Sequence, residues 1–331
     1  MANNKRAGII SIGSALPEKV LSNSDLEKIV DTNDEWIRTM TGISERRMAE
    51  DGKATSDYAI EAAKVALDRA GMSAADIDLI IVATVTPDMP FPATASIVQN
   101  ALGAEQCPAF DLNAGCSGWV YGLATANAFV TSGMYERVLV IGADVLTRVT
   151  NWTDRSTCIL FGDAAGAGIV APVDDDYGML GFDLGSDGSG AESLCIPAGG
   201  SRSGCTHEDI DNHRDKIVME GREVFKFGVK IQGEATERVL AKVGMTTDDI
   251  DLIVPHQANI RIIESAVNRL GLPPDKFFVN LHKYGNTSAA SIPVAVDEAI
   301  REGRIKKGDT VVTVGFGAGL TWAAGVMKWA Y

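Results

Sequence analysis

Apolar and polar residues follow two rhythms along this chain. Short uninterrupted apolar runs, of which Ile77 to Val85 (IDLIIVATV) is the clearest, read as strands buried on both faces. Between them lie stretches in which apolar residues recur every third or fourth position. From Asp57 to Ala70 these are Ile60, Ala63, Leu67 and Ala70. That is helical spacing, with Ser56 placed to cap the start and Gly71 to stop the end. Strand-like runs alternating with helical patterns predict an α/β fold.

The pattern also returns at a distance. GMSAADIDLII at 71–81 recurs as GMTTDDIDLIV at 244–254, so that Ile250 stands 173 positions after Ile77. VLVIG from Val138 recurs as VVTVG from Val311, and Asn113 as Asn286, at the same offset. Three matches at one offset predict a duplication of about half the chain. The halves are 1–174, which holds Cys116, and 175–331, which holds His256 and Asn286. At their junction Ile169-Val170-Ala171-Pro172 gives way to the acidic, turn-like Val173-Asp174-Asp175-Asp176. Gly185 to Arg214, rich in Gly, Ser and Asp, reads as a long surface excursion of the kind that covers a site.

Composition narrows the function. A chain of 331 residues suffices for one large body or two domains sharing a core. No run approaches the roughly 18 apolar residues of a membrane helix. The Lys5-Arg6 pair is not followed by a sustained apolar stretch, so neither a membrane nor a secretory route is expected, and the predicted location is cytoplasmic. A net charge of −14 argues against a nucleic-acid partner. It also means that an acidic protein partner needs a local basic patch. Cys107, Cys116, Cys158, Cys195 and Cys205 are odd in number and contain no CxxC pair, so neither a disulfide framework nor a metal site is predicted.

Three residues stand out for chemistry. In PAFDLNAGCSGWVYGLATANAFV, Ala109 to Asn113 reads as the end of a strand, and Trp119, Val120, Leu123 and Ala126 recur at helical spacing. Cys116 therefore sits at a sharp strand-to-helix turn, in the first turn of a buried helix. The unpaired N–H groups and helix dipole there favour thiolate over thiol, and the same N–H groups suit an oxyanion. His256 ends the second-copy strand in IDLIVPHQANIRII, where a ring can face a ligand. Asn286 lies at the Gly-Asn turn of KYGNTSAASIP. The duplication sets it against Asn113, three residues before Cys116, so the two turns are expected to face each other about a pseudo-twofold axis. Taken singly, each residue also reads as structural: a small buried hydrophobe, a strand-end ring, a turn amide. The late turn GFGAGLTW lacks the context of a dinucleotide site, but its glycines let backbone come close to a ligand.

DEWIRTMTGI, FPATAS, PAFDLNAGCSG, TDRSTCILFGDAAGA, HQANIRII, GNTSAASIP and GFGAGLTW occur in that order. With them the chain resembles, essentially end to end, the β-ketoacyl-acyl-carrier-protein synthase III group of the thiolase superfamily. The resemblance implies a five-layered αβαβα fold of two duplicated halves, and a homodimer. It implies that Cys116 is the acylated nucleophile with His256 and Asn286 as partners, and that the backbone N–H groups of Cys116 and Ala318 hold an oxyanion. Trp36, Arg155 and Asn259 are then CoA-binding, the first two sandwiching the adenine, and Phe91 crosses the dimer interface into the partner's acyl pocket. The implied reaction is a decarboxylative Claisen condensation of a short acyl-CoA, such as acetyl-CoA, with malonyl-acyl-carrier protein. It initiates type II fatty acid synthesis, with acyl-CoA as a substrate and no cofactor.

One position departs from the pattern. Met40 stands where the group usually has Arg, as RTGI, which removes one ionic contact to CoA unless Arg38 supplies it. The carrier protein is acidic, and REVFKFGVK puts Arg222, Lys226 and Lys230 at i, i+4 and i+8, one stripe of a helix. Arg261 and Arg269, after His256, extend the expected dock. Related chemistries separate in part. The late glycine turn lacks the second cysteine of degradative thiolases, and elongating synthases use two histidines. A relative that makes polyketide or quinolone starters, or acylates oxygen or nitrogen, stays open. The other alternative, a non-catalytic acyl-CoA-binding protein, has no need of Cys116, His256 and Asn286. The starter's chain length depends on packing and is not set by these motifs.

Overall fold

The computed structural model describes residues 6–331. The apolar runs form two mixed sheets. The first has the strand order Arg6–Ala15, Asp163–Val173, Val138–Val145, Leu79–Ala83, Ala109–Leu112, and the second Leu252–Pro255, Thr310–Gly317, Thr321–Lys328, Gly178–Ser186. Each sheet draws its strands from one side of residues 174–177. Between the sheets lie two helices, Gly118–Thr131 and Ser291–Arg301, each touching strands of both. Thr55–Ala70 covers the outer face of the first sheet and Gly221–Lys242 that of the second, with Ile260–Leu270 packed on the latter. This is the layered α/β thiolase-like arrangement. The central helices are apolar on most sides, as burial between two sheets requires. Trp119, Leu123, Ile292 and Val296 meet there in one core cluster.

The duplication is visible in atomic contacts. A side chain at Gly142 would strike the Ala289 carbonyl oxygen, and one at Gly315 would lie 3.2 Å from that of Cys116. Gly142 and Gly315 are related by the 173-residue offset, and so are Cys116 and Ala289. The central turns thus press reciprocally into the opposite sheet, with room for glycine alone at Gly142 and a tight fit at Gly315.

Two local expectations are corrected. The helix at 55–70 begins at Thr55, with Ala54 as its cap position. Asp57 accepts the Ala54 N–H at 2.8 Å, while the Ser56 hydroxyl and N–H donate instead to Asp88, at 2.6 and 2.9 Å. Gly71 does end the helix, in the left-handed conformation at φ 64°. The strand predicted over 77–85 spans only Leu79–Ala83. At its end the Thr84 hydroxyl and the Val85 and Thr86 N–H groups leave the ladder and donate to the buried Asp144 carboxylate. The stripe sequence 222–230 is helical, within Gly221–Lys242. No helix of the described residues is long and apolar enough to cross a membrane.

Candidate active site

The site lies at the carboxyl ends of parallel strands, the usual address for ligands in α/β sheets. Ala109–Leu112 pairs in parallel with Leu79–Ala83 and runs into the turn Gly115–Ser117, which carries Cys116. In the other half, Leu252–Pro255 pairs in parallel with Thr310–Gly317, and His256 follows it directly. The third turn, Ser288–Ala290, follows Asn286. The Asn113 and Asn286 turns have one construction. Asn113 Oδ1 accepts the Gly115 N–H at 3.4 Å, and Asn286 Oδ1 accepts the Ser288 N–H at 2.9 Å. Gly115 (φ 56°) and Ser288 (φ 48°) both turn left-handed, the latter at a cost of order 1–3 kcal/mol for a residue with a side chain.

Cys116, His256 and Asn286 line one cavity, with Phe316, Gly317 and Asn259. The Asn286 amide is oriented unambiguously, because only its oxygen can accept from Ser288; its NH2 edge is left for the cavity. His256 is buried. Its Nδ1 lies 2.6 Å from Ser291 Oγ, and Phe316 meets the ring edge-on at 5.5 Å. Burial holds the ring down at about 3, so it is neutral across the working range.

Burial also pushes the Cys116 thiol up to about 12, with the nearby Ser288 hydroxyl working the other way. Loss of hydration thus opposes the expected preference of the turn for thiolate.

Cys116 also opens on a second cavity of about 270 Å³. Its wall is largely apolar and includes Leu146, Val149, Phe161, Ile196 and Ile217, with Asn113 and Ser288 at the polar end. Leu194 to Ile196 belong to the long excursion, which does cover the site. Sequence patterning carried no sign of these wall residues, since they reach the cavity through long-range packing.

The glycine turn after Thr310–Gly317 abuts the nucleophile. A Cβ at Gly317 would collide with the Cys116 nitrogen, and one at Gly115 would lie 2.7 Å from the Ala318 nitrogen. The Cys116 and Ala318 backbones are thereby brought side by side. Ser117 and Thr321 tie the two turns, with hydroxyls 2.8 Å apart, and Thr321 donates to the Ala114 carbonyl. Gly317→Ala is expected to move one turn against the other. The overpacking costs about 1–3 kcal/mol, and a shift of about 1 Å in a reacting group costs about 100-fold in rate. A melting curve beside an acylation time course checks both effects.

The outlying candidates fall into place unevenly. Arg155 lies over the Trp36 ring at 4.9 Å and donates to the Asp31 carbonyl at 2.9 Å. Asn259 caps the helix Ile260–Leu270 and donates to the Met40 carbonyl at 3.0 Å, so it joins the cavity rim to the Met40 segment. Arg38 pairs with Asp34 at 2.8 Å on the surface. The neighbour of the Met40 sulfur is Arg261, at 4.0 Å, which also covers Phe225. Arg222, Lys226 and Lys230 are exposed along one helix, with Lys226 beside Glu223. Glu237 and Glu234 bind the Arg269 guanidinium at 2.9 and 3.4 Å. Both ion pairs, Lys226–Glu223 and Arg269–Glu237, are open to water. Phe91 is 84% exposed and lines neither of the two cavities on which Cys116 opens.

Two layered halves with a thiol, an imidazole and an amide converging between them define a thiolase-type condensing enzyme. The chain belongs to the 3-oxoacyl-[acyl-carrier-protein] synthase III family, whose models match residues 110–188 and, for the C-terminal part, 240–329. It is 58% identical over 330 residues, all of both chains, to the β-ketoacyl-[acyl-carrier-protein] synthase III of Caldanaerobacter subterraneus subsp. tengcongensis. The 3-oxoacyl-[acyl-carrier-protein] synthase III structure from Aquifex aeolicus superposes with a TM-score of 0.90 at 45% identity, covering 98% of this chain and 100% of that one. The priming β-ketosynthase of the R1128 polyketide pathway also superposes, with a TM-score of 0.91 at 34% identity, covering 100% and 98%.

Proposed function

We propose that this chain condenses a short acyl-CoA with malonyl-acyl-carrier protein through an acyl thioester on Cys116. The family activity, β-ketoacyl-acyl-carrier-protein synthesis at the start of type II fatty acid synthesis, is that of an acyltransferase. The observation that carries the residue assignment is the convergence of Cys116, His256 and Asn286 on one cavity, with a largely apolar cavity opening from the same sulfur.

In the first stage the Cys116 sulfur attacks the acyl-CoA carbonyl. The C–S bond to CoA breaks, and the thiol proton ends on the CoA sulfur. The Cys116 and Ala318 N–H groups hold the carbonyl oxygen while it is negative. In the second stage the malonyl carboxylate leaves as CO2. Its electron pair passes to the α-carbon, which attacks the acyl-Cys116 carbonyl. The new C–C bond gives 3-oxoacyl-carrier protein, and Cys116 leaves as thiolate and takes up a proton. Negative charge gathers on the malonyl thioester oxygen before attack, and the His256 ring and Asn286 NH2 are the donors we assign to it. These steps call on no metal or redox group, and we assign none.

For the donor we assign Trp36, Arg155 and Asn259 to CoA. Adenine takes the place that the Arg155 guanidinium fills over Trp36, exchanging a cation–π contact of about 0.5–1 kcal/mol for stacking. We further assign a homodimer in which Phe91 enters the partner's acyl cavity. Its 84% exposure, beside the 44% exposed Met89, supports that reading, since an apolar tip so open to water normally has a cover. The 1–174 and 175–331 division is proposed as the unit of duplication, and a cytoplasmic location as the setting.

A panel of acyl-CoAs offered with malonyl-carrier protein tests the function: short acyl-CoAs are expected to yield 3-oxoacyl-carrier protein, CO2 and CoA in equal amounts. Product with free malonyl-CoA but none with the carrier would point to a starter-forming relative instead. We assign the docking stripe to Arg222, Lys226, Arg261 and Arg269, with Lys230 continuing it. Lys226→Glu is expected to raise KM for malonyl-carrier protein by about 10-fold, the low end of electrostatic steering, and to leave Cys116 acylation by acyl-CoA unchanged. Steady-state kinetics at low and high salt checks this, because the effect should shrink as salt screens it.

A further inference from the structure

We infer that Ser291 is a positioning residue: it holds His256 in the tautomer with its proton on Nε2, which makes the ring a hydrogen-bond donor to the substrate and denies it the role of base toward Cys116. The inference rests on the assignment of His256 to the condensation.

Ser291 opens the central helix Ser291–Arg301 and is buried. Its Oγ is 2.6 Å from His256 Nδ1 and accepts the Gln257 N–H at 3.4 Å. The hydroxyl proton still needs an acceptor, and among the described residues Nδ1 is the one its bonds supply. If Nδ1 carried the proton and donated to Ser291, the hydroxyl proton would be buried without a partner, which is unfavourable. The favoured arrangement has Ser291 donating to an unprotonated Nδ1. The ring proton is then on Nε2, the edge left for the cavity that His256 lines.

The rest of the ring's surroundings hold it in that pose. The His256 N–H is bonded to the Val314 carbonyl at 2.7 Å. Gln257 spans from the Pro255 and Phe278 carbonyls to the Asn280 and Leu281 N–H groups, so the strand end cannot rotate freely. Phe316 closes one side of the ring.

The duplication supplies a control within the chain. Offset by 173 residues, His256 corresponds to Ala83 and Ser291 to Gly118. That pair is also in contact: a Cβ on Gly118 would lie 3.0 Å from Ala83 Cβ. The same junction is apolar in one copy and a hydroxyl–imidazole hydrogen bond in the other. Packing alone is met by the small apolar pair, so the second copy's bond calls for a chemical reason.

The consequence concerns acylation. With Nε2 protonated and Nδ1 filled, the ring has no free lone pair for the Cys116 proton. That proton must then pass to the departing CoA sulfur, as the balanced transfer R–CO–S–CoA + Cys–SH → Cys–S–CO–R + HS–CoA requires. His256 thus serves the second stage and not the first.

Long-range 1H–15N spectra of histidine-labelled protein test this directly. The wild type is expected to show His256 with a protonated Nε2 and an unprotonated, hydrogen-bonded Nδ1; a proton on Nδ1 overturns the inference without any variant. Ser291→Ala is expected to mix the two tautomers and to slow condensation by about 10-fold, the low end for loss of a histidine's orienting partner, with single-turnover acylation of Cys116 unchanged. Ser291→Thr should restore both the spectrum and the rate. An unaltered tautomer and condensation rate in Ser291→Ala, or acylation falling in step with condensation, would sink the idea. Failure of the wild type to acylate at Cys116 would instead overturn the assigned function, so the two failures are distinguishable.

Discussion

Cys116→Ala is expected to lose condensation by about 10⁶-fold, the scale on which removal of a covalent nucleophile is felt, while still decarboxylating malonyl-carrier protein. The two halves of this expectation have different physical sources. Without the sulfur no acyl group is stored, and the acyl-CoA and malonyl groups cannot be joined in sequence. The donors for decarboxylation, His256 and Asn286, come from the other half of the chain, and neither is hydrogen-bonded to Cys116 among the described residues. Alanine fits the turn, because its counterpart in the second copy is Ala289, in a turn of the same construction. A folded, acyl-incompetent variant that releases CO2 is the outcome; 14C-CO2 release beside product analysis measures it. Loss of decarboxylation along with condensation would mean that the sulfur takes part in both stages.

His256→Ala should fail in the complementary way. Removing one donor from a dry oxyanion site costs about 2.7–4 kcal/mol of barrier, or about 10²–10³-fold. The loss is expected in condensation, with Cys116 still acylated by acetyl-CoA. Burial holds the His256 ring at about 3, well below its ordinary 6.5. The wild-type condensation rate should therefore carry no inflection near 6.5, since the ring is neutral on both sides of that pH. A rate that falls as pH drops through 6.5, and a His256→Ala variant without that fall, would contradict a buried neutral donor.

Much of this site was legible because the chain repeats itself. The offset that joins Ile77 to Ile250 also joins Asn113 to Asn286, and the structure turns that coincidence into two asparagine turns of one construction. The same offset sets Ser288 opposite Gly115 and Ser291 opposite Gly118 within GNTSAAS. Other features had no local signature. Leu194 and Ile196 line the largely apolar cavity through packing of the long excursion, which composition marked only as polar, and Ile217 joins them just beyond it. The acidic partners of Arg269, Glu234 and Glu237, stand on another helix, so their pairing with it had no local sign. For Cys116 the helix terminus is visible in sequence, but the burial that opposes it is a property of the whole fold. Ser56 was outcompeted as a cap by Asp57, while Asp88, brought close only on folding, claimed its hydroxyl.

The most direct measurement is mass spectrometry of the intact chain after incubation with acetyl-CoA, followed by peptide mapping. The expected result is one acetyl group per chain, on Cys116, labile to hydroxylamine and discharged as 3-oxoacyl product when malonyl-carrier protein is added. No adduct with any short acyl-CoA, or an adduct on another cysteine that discharges to the same product, would contradict Cys116 as the acyl carrier.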